Sequence, residues 1–238
     1  NLINVSEDYN VNRFVLVSTD KAVNPTNIMG ATKRVAEKLI QSKSVNSNVK
    51  YMAVRFGNVI GSSGSVIPTF QKQIRNGGPI TLTDPAMERY FMSISEAAQL
   101  ILQTGAMGTG GEIYVLDMGK PVNIKDIAYE LIRLSGLEPE KDISIEYIGS
   151  RPGEKMFEEL KTKEENIVET NHEKIMMMKN GKGYNWDHIL EEVSKIVNTV
   201  KSYNTSEIIT SLQNFIPEYS PDRNNIKLKN KKTSIIEK

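Results

Sequence analysis

Three adjacent polar residues follow a short apolar stretch near the start of the sequence. Residues 14–18 are mostly apolar with two valines, which predicts a buried strand, and Thr19, Asp20 and Lys21 come directly after it. A hydroxyl, a carboxyl and an amine at a strand end could divide a proton transfer between an acid and a base. The alternative is an ordinary loop leading into a helix, with Asp20 near the helix N-terminus and Lys21 solvated. These residues alone leave both interpretations open.

A second pair of interest is Met29 and Lys33, four residues apart on a predicted helix. A Tyr-x-x-x-Lys pair at this spacing places both side chains on one helical face, where the ammonium can promote loss of the phenolic proton. Met29 occupies the Tyr position, and a thioether has no proton to exchange. Met29 is therefore either a core residue or a wall of a site, and it cannot be the base.

The segment 55–68 is rich in glycine and serine and follows a second predicted strand. It supplies Asn58, Ser63 and Ser65 as candidate ligands, and such a loop can bring backbone N–H groups close to a phosphate. A surface loop without a ligand is the simpler alternative.

Two arginines and a glutamate complete the candidate residues. Arg89 and Arg151 could pair with phosphate oxygens, and Glu154 could accept hydrogen bonds from ribose hydroxyls. Taken singly, each arginine is also consistent with an ordinary surface ion pair.

The composition excludes several classes of function. The 238 residues include 30 Lys or Arg and 29 Asp or Glu, so the net charge of +1 gives no reason to expect a nucleic-acid or membrane partner. The absence of cysteine excludes disulfides, thiolate metal sites and a cysteine nucleophile. His172 and His188 stand apart from other ligands, so we expect no metal site. No apolar run is long enough to cross a bilayer and no signal peptide is recognisable, so a cytoplasmic location is the default expectation.

The predicted strands alternate with predicted helices, which favours a parallel α/β sheet. Further strands are expected at 51–56, 112–118 and 143–148, and helix caps at Ser93 and Asn123. Ligands of such sheets bind beyond the carboxyl ends of the strands, so the polar groups after the first two strands are expected to face one crevice. No strand–GxGxxG–helix pattern is present, and the glycines of 105–111 are interpreted as a turn.

Four ordered stretches resemble one family closely: STDKAVNPTNIMGATKR, RFGNVIGSSGSVIPTF, DPAMERYFMSISEA and RPGEKMFEEL. They are similar to the CapD-like nucleotide-sugar dehydratases, which are extended short-chain dehydrogenase/reductases of bacterial polysaccharide synthesis. The best-known activity is UDP-N-acetylglucosamine 4,6-dehydratase. The resemblance implies the second half of a Rossmann-like NAD-binding domain at 1–60 and 91–118 and a smaller nucleotide-sugar-binding domain at 61–90 and 119–220. Residues 221–238 are expected to be a disordered tail.

The resemblance also implies roles for individual residues. In the family, hydride leaves C4 of the sugar for NAD, the C5 proton and the C6 hydroxyl are eliminated, and the hydride returns to C6. Asp20 would be the acid at C6 and Lys21 the base at C5, while Thr19 would bond the C4 oxygen. Lys33, with Ser18 and Met29, would contact the cofactor. The UDP half would contact the candidates already named: Asn58, Ser63, Ser65, Arg89, Arg151 and Glu154.

The same resemblance leaves several properties open. The glycine-rich NAD loop of the family does not occur in this chain, and residue 1 is Asn, so we expect a part of a longer protein that binds NAD poorly by itself. We expect the parent protein to be a homo-oligomer, and its anchoring to the inner membrane is left open. An epimerase or reductase on the same fold, or a non-catalytic UDP-sugar-binding fragment, is the alternative function.

Overall fold

The computed structural model of the protein describes residues 1–62, 64–162, 165–178 and 184–221. The described α-helices are α1 (Leu2–Asp8), α2 (Ile28–Lys43), α3 (Val66–Arg75), α4 (Ile94–Met107), α5 (Ile124–Leu134), α6 (Trp186–Val200) and α7 (Thr205–Phe215). The described strands are β1 (Arg13–Val17), β2 (Lys50–Arg55), β3 (Asn58–Val59), β4 (Ile80–Leu82), β5 (Glu88–Arg89), β6 (Phe91–Met92), β7 (Ile113–Leu116), β8 (Val122–Asn123), β9 (Ile145–Tyr147), β10 (Ile167–Glu169) and β11 (Ile175–Met178).

The chain divides into two compact units. Unit 1 contains residues 1–56, 100–117 and the described residues from 159 onward, and unit 2 contains 57–99 and 118–158. These bounds differ from the predicted domains, because the residues after 158 belong to unit 1 and those at 91–99 belong to unit 2. The assignment of one unit to the cofactor and the other to the nucleotide sugar stays a prediction.

Unit 1 is built on a five-stranded sheet in the order β1-β2-β7-β11-β10. The first three strands are parallel, as predicted, with Val15 opposite Met52 and Ala53 opposite Ile113. The predicted parallel sheet is confirmed for these three strands, and β11 adds an antiparallel part, since it pairs antiparallel with both β7 and β10. β10 and β11 are joined by a short turn, and strands connected so closely can only pair antiparallel.

The core of unit 1 is built on β2 and on one face of α2. Tyr51, Met52, Ala53 and Val54 of β2 are fully buried, as expected of a strand that is covered on both faces. Ala31 of α2 packs in a cluster with buried apolar residues of α6, α7 and the segment after α7: Ile189, Ile209, Leu212, Phe215, Ile216 and Tyr219. The helical spacing of Ile189, Val193, Ile196 and Val200 in the sequence predicts a helix, which is confirmed as α6, whereas α7 was not predicted.

Unit 2 has a separate core beneath α3 and α5. Its buried residues are Phe70, Ile74, Ile80, Leu82, Met87, Ile124, Ala128, Ile132 and Ile143. The predicted caps are present: Ser93 Oγ accepts a hydrogen bond from the Glu96 N–H at 3.1 Å, and Asn123 Oδ1 accepts one from the Lys125 N–H at 2.8 Å. The loop after β2 contains the short strand β3, which pairs parallel with β6.

Two other expectations concern the ends of elements. The glycine-rich stretch at 105–111 mostly forms the predicted turn, since α4 ends at Met107 and β7 begins at Ile113. Of the predicted tail, Pro221 is described, and 222–238 lie outside the described residues.

Candidate functional site

Thr19, Asp20 and Lys21 form a compact hydrogen-bonded group in the 3-10 turn that follows β1. Lys21 Nζ lies 2.8 Å from Asp20 Oδ1 and 3.1 Å from Oδ2, and Thr19 Oγ1 donates to Asp20 Oδ1 at 2.8 Å. The Asp20 side chain is fully buried, whereas that of Lys21 is 20% exposed. The group therefore has an enclosed carboxyl with a hydroxyl and an amine in direct contact with it.

Backbone hydrogen bonds fix this turn to the end of β2. The Ser18 N–H donates to the Val54 carbonyl at 2.7 Å and the Asp20 N–H donates to the Phe56 carbonyl at 3.1 Å. Thr19 is in an extended conformation, and its Oγ1 also accepts from the Lys21 N–H at 3.4 Å. The carboxyl end of β2 therefore fixes the backbone positions of Asp20 and Lys21.

Helix α2 approaches the turn very closely. Asn27 caps the helix by accepting from the Gly30 N–H at 2.8 Å. A Cβ atom at Gly30 would lie 2.1 Å from the Lys21 carbonyl oxygen, so only glycine allows this approach. Lys33, one turn further on, donates from Nζ to the Val17 carbonyl at 3.2 Å, and Met29 is 49% exposed. Thr19, Asp20, Lys21, Met29 and Lys33 thus belong to one unit of the fold.

A buried ionic network lies behind the turn, and sequence reasoning missed it. Arg55 and Glu37 are both fully buried and form two hydrogen bonds of 2.7 Å. Arg55 also bonds Glu165, at 2.8 and 3.1 Å, and Arg34 bonds Glu37 at 3.0 Å and Glu218 at 2.8 Å. The only sequence signal was a charged residue at the end of a buried strand and another among the apolar positions of α2.

Opposing effects determine the charge of Glu37. Burial alone would raise the pKa of this carboxyl, but the adjacent Arg55 guanidinium, its hydrogen bonds and Arg34 together lower it below its ordinary value. Glu37 is therefore ionised at neutral pH, as a buried carboxylate with two cationic partners should be.

The predicted cofactor contacts differ in how well the structure fits them. Lys33 is partly exposed near the carboxyl end of β1 and suits a ribose hydroxyl, and Met29 presents an accessible apolar surface. Ser18 is only 4% exposed and its hydroxyl donates to Glu37 Oε1 at 2.6 Å. The Ser18 side chain is thus directed at the ionic network, and a direct contact between its hydroxyl and NAD finds no support.

In unit 2, Arg89 is the most enclosed of the predicted nucleotide ligands that the structure describes. Its guanidinium donates to the carbonyls of Glu88, Lys155 and Met156 at 2.7, 2.7 and 3.0 Å. Glu154 lies 3.5 Å from Arg89 Nη2 and accepts from the Arg151 N–H at 3.1 Å. Arg89 therefore holds the 151–158 segment in place through its carbonyls and keeps the Glu154 carboxylate next to its own guanidinium.

The remaining predicted ligands of unit 2 lie at the start of β3 and of α3. Asn58 is half-buried and its N–H donates to the Tyr90 carbonyl at 3.1 Å. Ser65 is the N-cap residue of α3, and its enclosed Oγ has no hydrogen-bond partner among the described residues. The Arg151 side chain is exposed. Ser63 lies outside the described residues.

Neither a cluster of metal ligands nor a helix able to span a membrane occurs within the described ranges. No group of three or more His, Asp or Glu side chains in those ranges is arranged to hold a metal ion. Over the same residues, no helix combines the length and apolar character that a bilayer span requires.

Comparison with known proteins gives the family. Residues 1–180 match the family described as polysaccharide biosynthesis protein. The chain belongs to this family. The capsular polysaccharide biosynthesis protein CapD of Staphylococcus aureus is 57% identical over 176 residues, which are 74% of this chain and 29% of CapD. The probable polysaccharide biosynthesis protein EpsC of Bacillus subtilis (strain 168) is 51% identical over 207 residues, covering 83% of this chain and 34% of EpsC. The chain thus spans about a third of the length of these two relatives.

Solved structures confirm the predicted fold class. The X-ray structure of Pen from Bacillus thuringiensis matches with a TM-score of 0.70 and 36% identity, over 78% of this chain and 57% of Pen. Structures of dTDP-glucose 4,6-dehydratases solved with NAD, at 20% identity and TM-scores of 0.54 and 0.55, share the fold alone. Curated UDP-glucose 4-epimerases of Rickettsia are 34 to 37% identical to this chain. The fold is therefore the Rossmann-like fold of nucleotide-sugar dehydratases and epimerases of the short-chain dehydrogenase/reductase type.

Proposed function

We propose that the intact protein is a nucleotide-sugar 4,6-dehydratase of polysaccharide synthesis that acts on UDP-N-acetylglucosamine. The direct contact between Asp20 and Lys21 is the observation that carries this proposal. Elimination across C5 and C6 needs a base and an acid at adjacent sugar carbons, and an amine and a carboxyl in contact match that separation. NAD, when bound, accepts a hydride from C4 and later returns it to C6.

The resting ion pair must change before it can act. In the ionised pair, Lys21 holds the proton and Asp20 lacks one, which is the reverse of a base at C5 and an acid at C6. Lys21, whose side chain is 20% exposed, would release its proton to solvent, and Asp20 would gain the proton that leaves the C4 hydroxyl on oxidation, which gives a neutral amine and a neutral carboxyl. The amine then takes the C5 proton while the carboxyl protonates the departing C6 hydroxyl, so water leaves and the pair is ionised again.

Thr19 completes the proton balance. Its hydroxyl donates to Asp20 Oδ1, so it can accept the C4 hydroxyl proton as it passes its own proton to the carboxyl. When Lys21 returns its proton to C5, the net products are the 4-keto-6-deoxy sugar and one water. Lys33 would hold the nicotinamide ribose, and Met29 would be an apolar wall without a share in the proton transfers.

The burial of Asp20 sets a condition on this mechanism. Its side chain has no exposed surface, and Thr19 and Lys21 are both hydrogen-bonded to its carboxyl. Lys21 must therefore swing away from the carboxyl as the sugar enters, which uncovers Asp20 at the moment it is needed. The 20% exposure of the Lys21 side chain is consistent with such a movement.

The nucleotide is assigned to the polar residues of unit 2. Ser65 Oγ, enclosed and without a partner among the described residues, suits a phosphate oxygen at the N-terminus of α3. Asn58, Arg151 and Glu154 are the other proposed contacts, together with Ser63. Arg89 would contact a phosphate only after giving up a carbonyl of the 151–158 segment, so its main proposed role is to order that segment.

A 4-epimerase is the second candidate, and the identity with UDP-glucose 4-epimerases favours it. Epimerisation needs no acid at C6 and leaves the mass unchanged, whereas dehydration removes one water. A non-catalytic UDP-sugar-binding role is the alternative for this chain by itself, since its sequence lacks a strand–GxGxxG–helix pattern.

The test uses the intact protein with UDP-N-acetylglucosamine and NAD in deuterated water, followed by mass spectrometry. We expect loss of one water and deuterium at C5. Lys21→Ala should abolish the exchange at C5, and Lys141→Ala, at a 70% exposed lysine, is the matched control. An unchanged mass would refute dehydration, and exchange that persists in Lys21→Ala would dismiss Lys21 as the base.

A further inference from the structure

Glu37 joins three elements of unit 1 through one carboxylate. Its Oε1 accepts from Ser18 Oγ at 2.6 Å and from Arg55 Nε at 2.7 Å. Its Oε2 accepts from Arg55 Nη2 at 2.7 Å and from Arg34 Nη1 at 3.0 Å. The residue is fully buried, so these four donors replace all of its hydration. One side chain of α2 therefore holds the end of β1 and the end of β2 together.

The position of this link is significant because Ser18 is the residue before Thr19. The backbone bonds that fix the turn run to Val54 and Phe56, the two neighbours of Arg55. Ser18 is thus held by its N–H to the β2 backbone and by its hydroxyl to a carboxylate that Arg55 holds. The Thr19–Lys21 turn is therefore constrained at its start by both the backbone and the side chain of Ser18.

The same carboxylate is related to Lys33 by helix geometry. Glu37 lies four residues after Lys33, so both side chains lie along one side of α2. Lys33 Nζ bonds the Val17 carbonyl at 3.2 Å, and Glu37 bonds the neighbouring Ser18. Two consecutive residues at the end of β1 are therefore held by two consecutive turns of α2.

Stability alone does not account for such an arrangement. Replacing a buried ion pair with well-packed apolar residues is often neutral or stabilising, because both charges lose their hydration. A carboxylate that is buried beside a guanidinium does fix the geometry of the groups it bonds, since charge-assisted hydrogen bonds are short and directional.

We propose that Glu37, held by Arg55, is a positioning residue that fixes the Ser18–Lys21 turn relative to Lys33. Its catalytic consequence rests on the dehydration proposed above, whereas its structural consequence does not. Loosening the carboxylate should let the turn move without unfolding the sheet, and the groups on Asp20 and Lys21 would then be misplaced relative to the sugar.

The structural test is amide hydrogen exchange of the intact protein in the variants Glu37→Gln and Glu218→Gln. The control replaces a carboxylate of the same network that bonds Arg34 and does not touch Ser18. Glu37→Gln should raise exchange of the Ser18 and Asp20 amides about tenfold or more and leave β7 unchanged, because a local opening affects only the segment it frees. Unchanged exchange at the turn, or an equal rise throughout unit 1, would overturn the proposal.

The catalytic test compares Ser18→Ala, Ser18→Thr and Glu37→Gln by steady-state kinetics. Ser18→Ala leaves the ionic network intact and removes only its link to the turn. We expect kcat to fall about thirtyfold in Ser18→Ala and Glu37→Gln with KM within about twofold, and to recover in Ser18→Thr, because misplacement affects the reacting groups more than binding. Full kcat in Ser18→Ala would overturn the catalytic part. A wild-type protein that releases no water would refute the proposed function and leave the exchange test to decide the role of Glu37.

Discussion

Gly30→Ala should impair the proposed reaction far more than it impairs folding. The added Cβ atom would lie 2.1 Å from the Lys21 carbonyl oxygen and 3.0 Å from its carbonyl carbon. An ordinary contact begins at 3.4 Å, so the Lys21 backbone must move by 3.4 minus 2.1, or about 1.3 Å. Both of these nearest atoms belong to the backbone, so no flexible side chain can move aside instead.

The two consequences of this shift differ in size. Overpacking costs about 1–3 kcal/mol, and about 1 kcal/mol returns because alanine favours a helix more than glycine does. A displacement of about 1 Å at reacting groups lowers a rate by about a hundredfold. We therefore expect kcat to fall about a hundredfold while the free energy of unfolding changes by about 2 kcal/mol or less.

The assay pairs turnover, followed by mass spectrometry, with urea unfolding of the same preparation. Gly105→Ala is the matched control, because this glycine also lies in a helix of unit 1 and its Cβ atom would meet only a methyl group of Val15, at 3.2 Å. The control should keep both activity and stability. Gly30→Ala with turnover within about threefold of wild type would refute the idea that the Lys21 position controls the reaction.

Three further changes test other parts of the structure. Met29→Ala should lower kcat by less than about tenfold if Met29 is only a wall, and a loss above about a hundredfold would contradict that role. The lowered pKa values of Glu37 and Glu218 mean that the unfolded chain binds more protons than the folded one below the ordinary pKa of 4.5, so the free energy of unfolding should fall as the pH drops below that value. In Glu37→Gln this fall, followed by urea unfolding at several pH values, should be shallower, and an identical pH profile would argue against the Arg55 contact. Leu212→Ala should cost about 2–5 kcal/mol in urea unfolding because Leu212 is 1% exposed, whereas Leu102→Ala, at a 75% exposed leucine, should cost little.

The sequence predicted the elements that carry Thr19, Asp20, Lys21 and Lys33 because their signals are local. The apolar run before Thr19 and the spacing of Val35, Leu39 and Ile40 each indicate an element within one short window. Helix α7 also had a local signal that the predictions did not use, since Asn204 caps it and its apolar residues recur at helical spacing. Helix α7 is therefore predictable from its sequence alone.

The ionic network could not be predicted in the same way. Glu37 and Arg55 are 18 residues apart and lie on different elements, and neither has a local reason to be buried. A charged residue at an apolar position becomes interpretable only when a partner of opposite charge is known to meet it. The antiparallel pairing of β10 with β11 could not be predicted either. Both strands are short and β11 consists mostly of methionine, so the sequence shows no periodicity from which the strand direction could be inferred.

The cover that α6 and α7 place over Ala31 has a practical consequence for protein engineering. The family match ends at residue 180, yet the helix that bears Lys33 and Glu37 is buried by side chains from 189 to 219. A chimera joined at the family boundary would take the ends of β1 and β2 and helix α2 from one parent and the side chains that cover α2 from the other. A junction placed beyond Tyr219 would keep donor helix and donor cover together, and swapped specificities would then be attributable to the exchanged residues themselves.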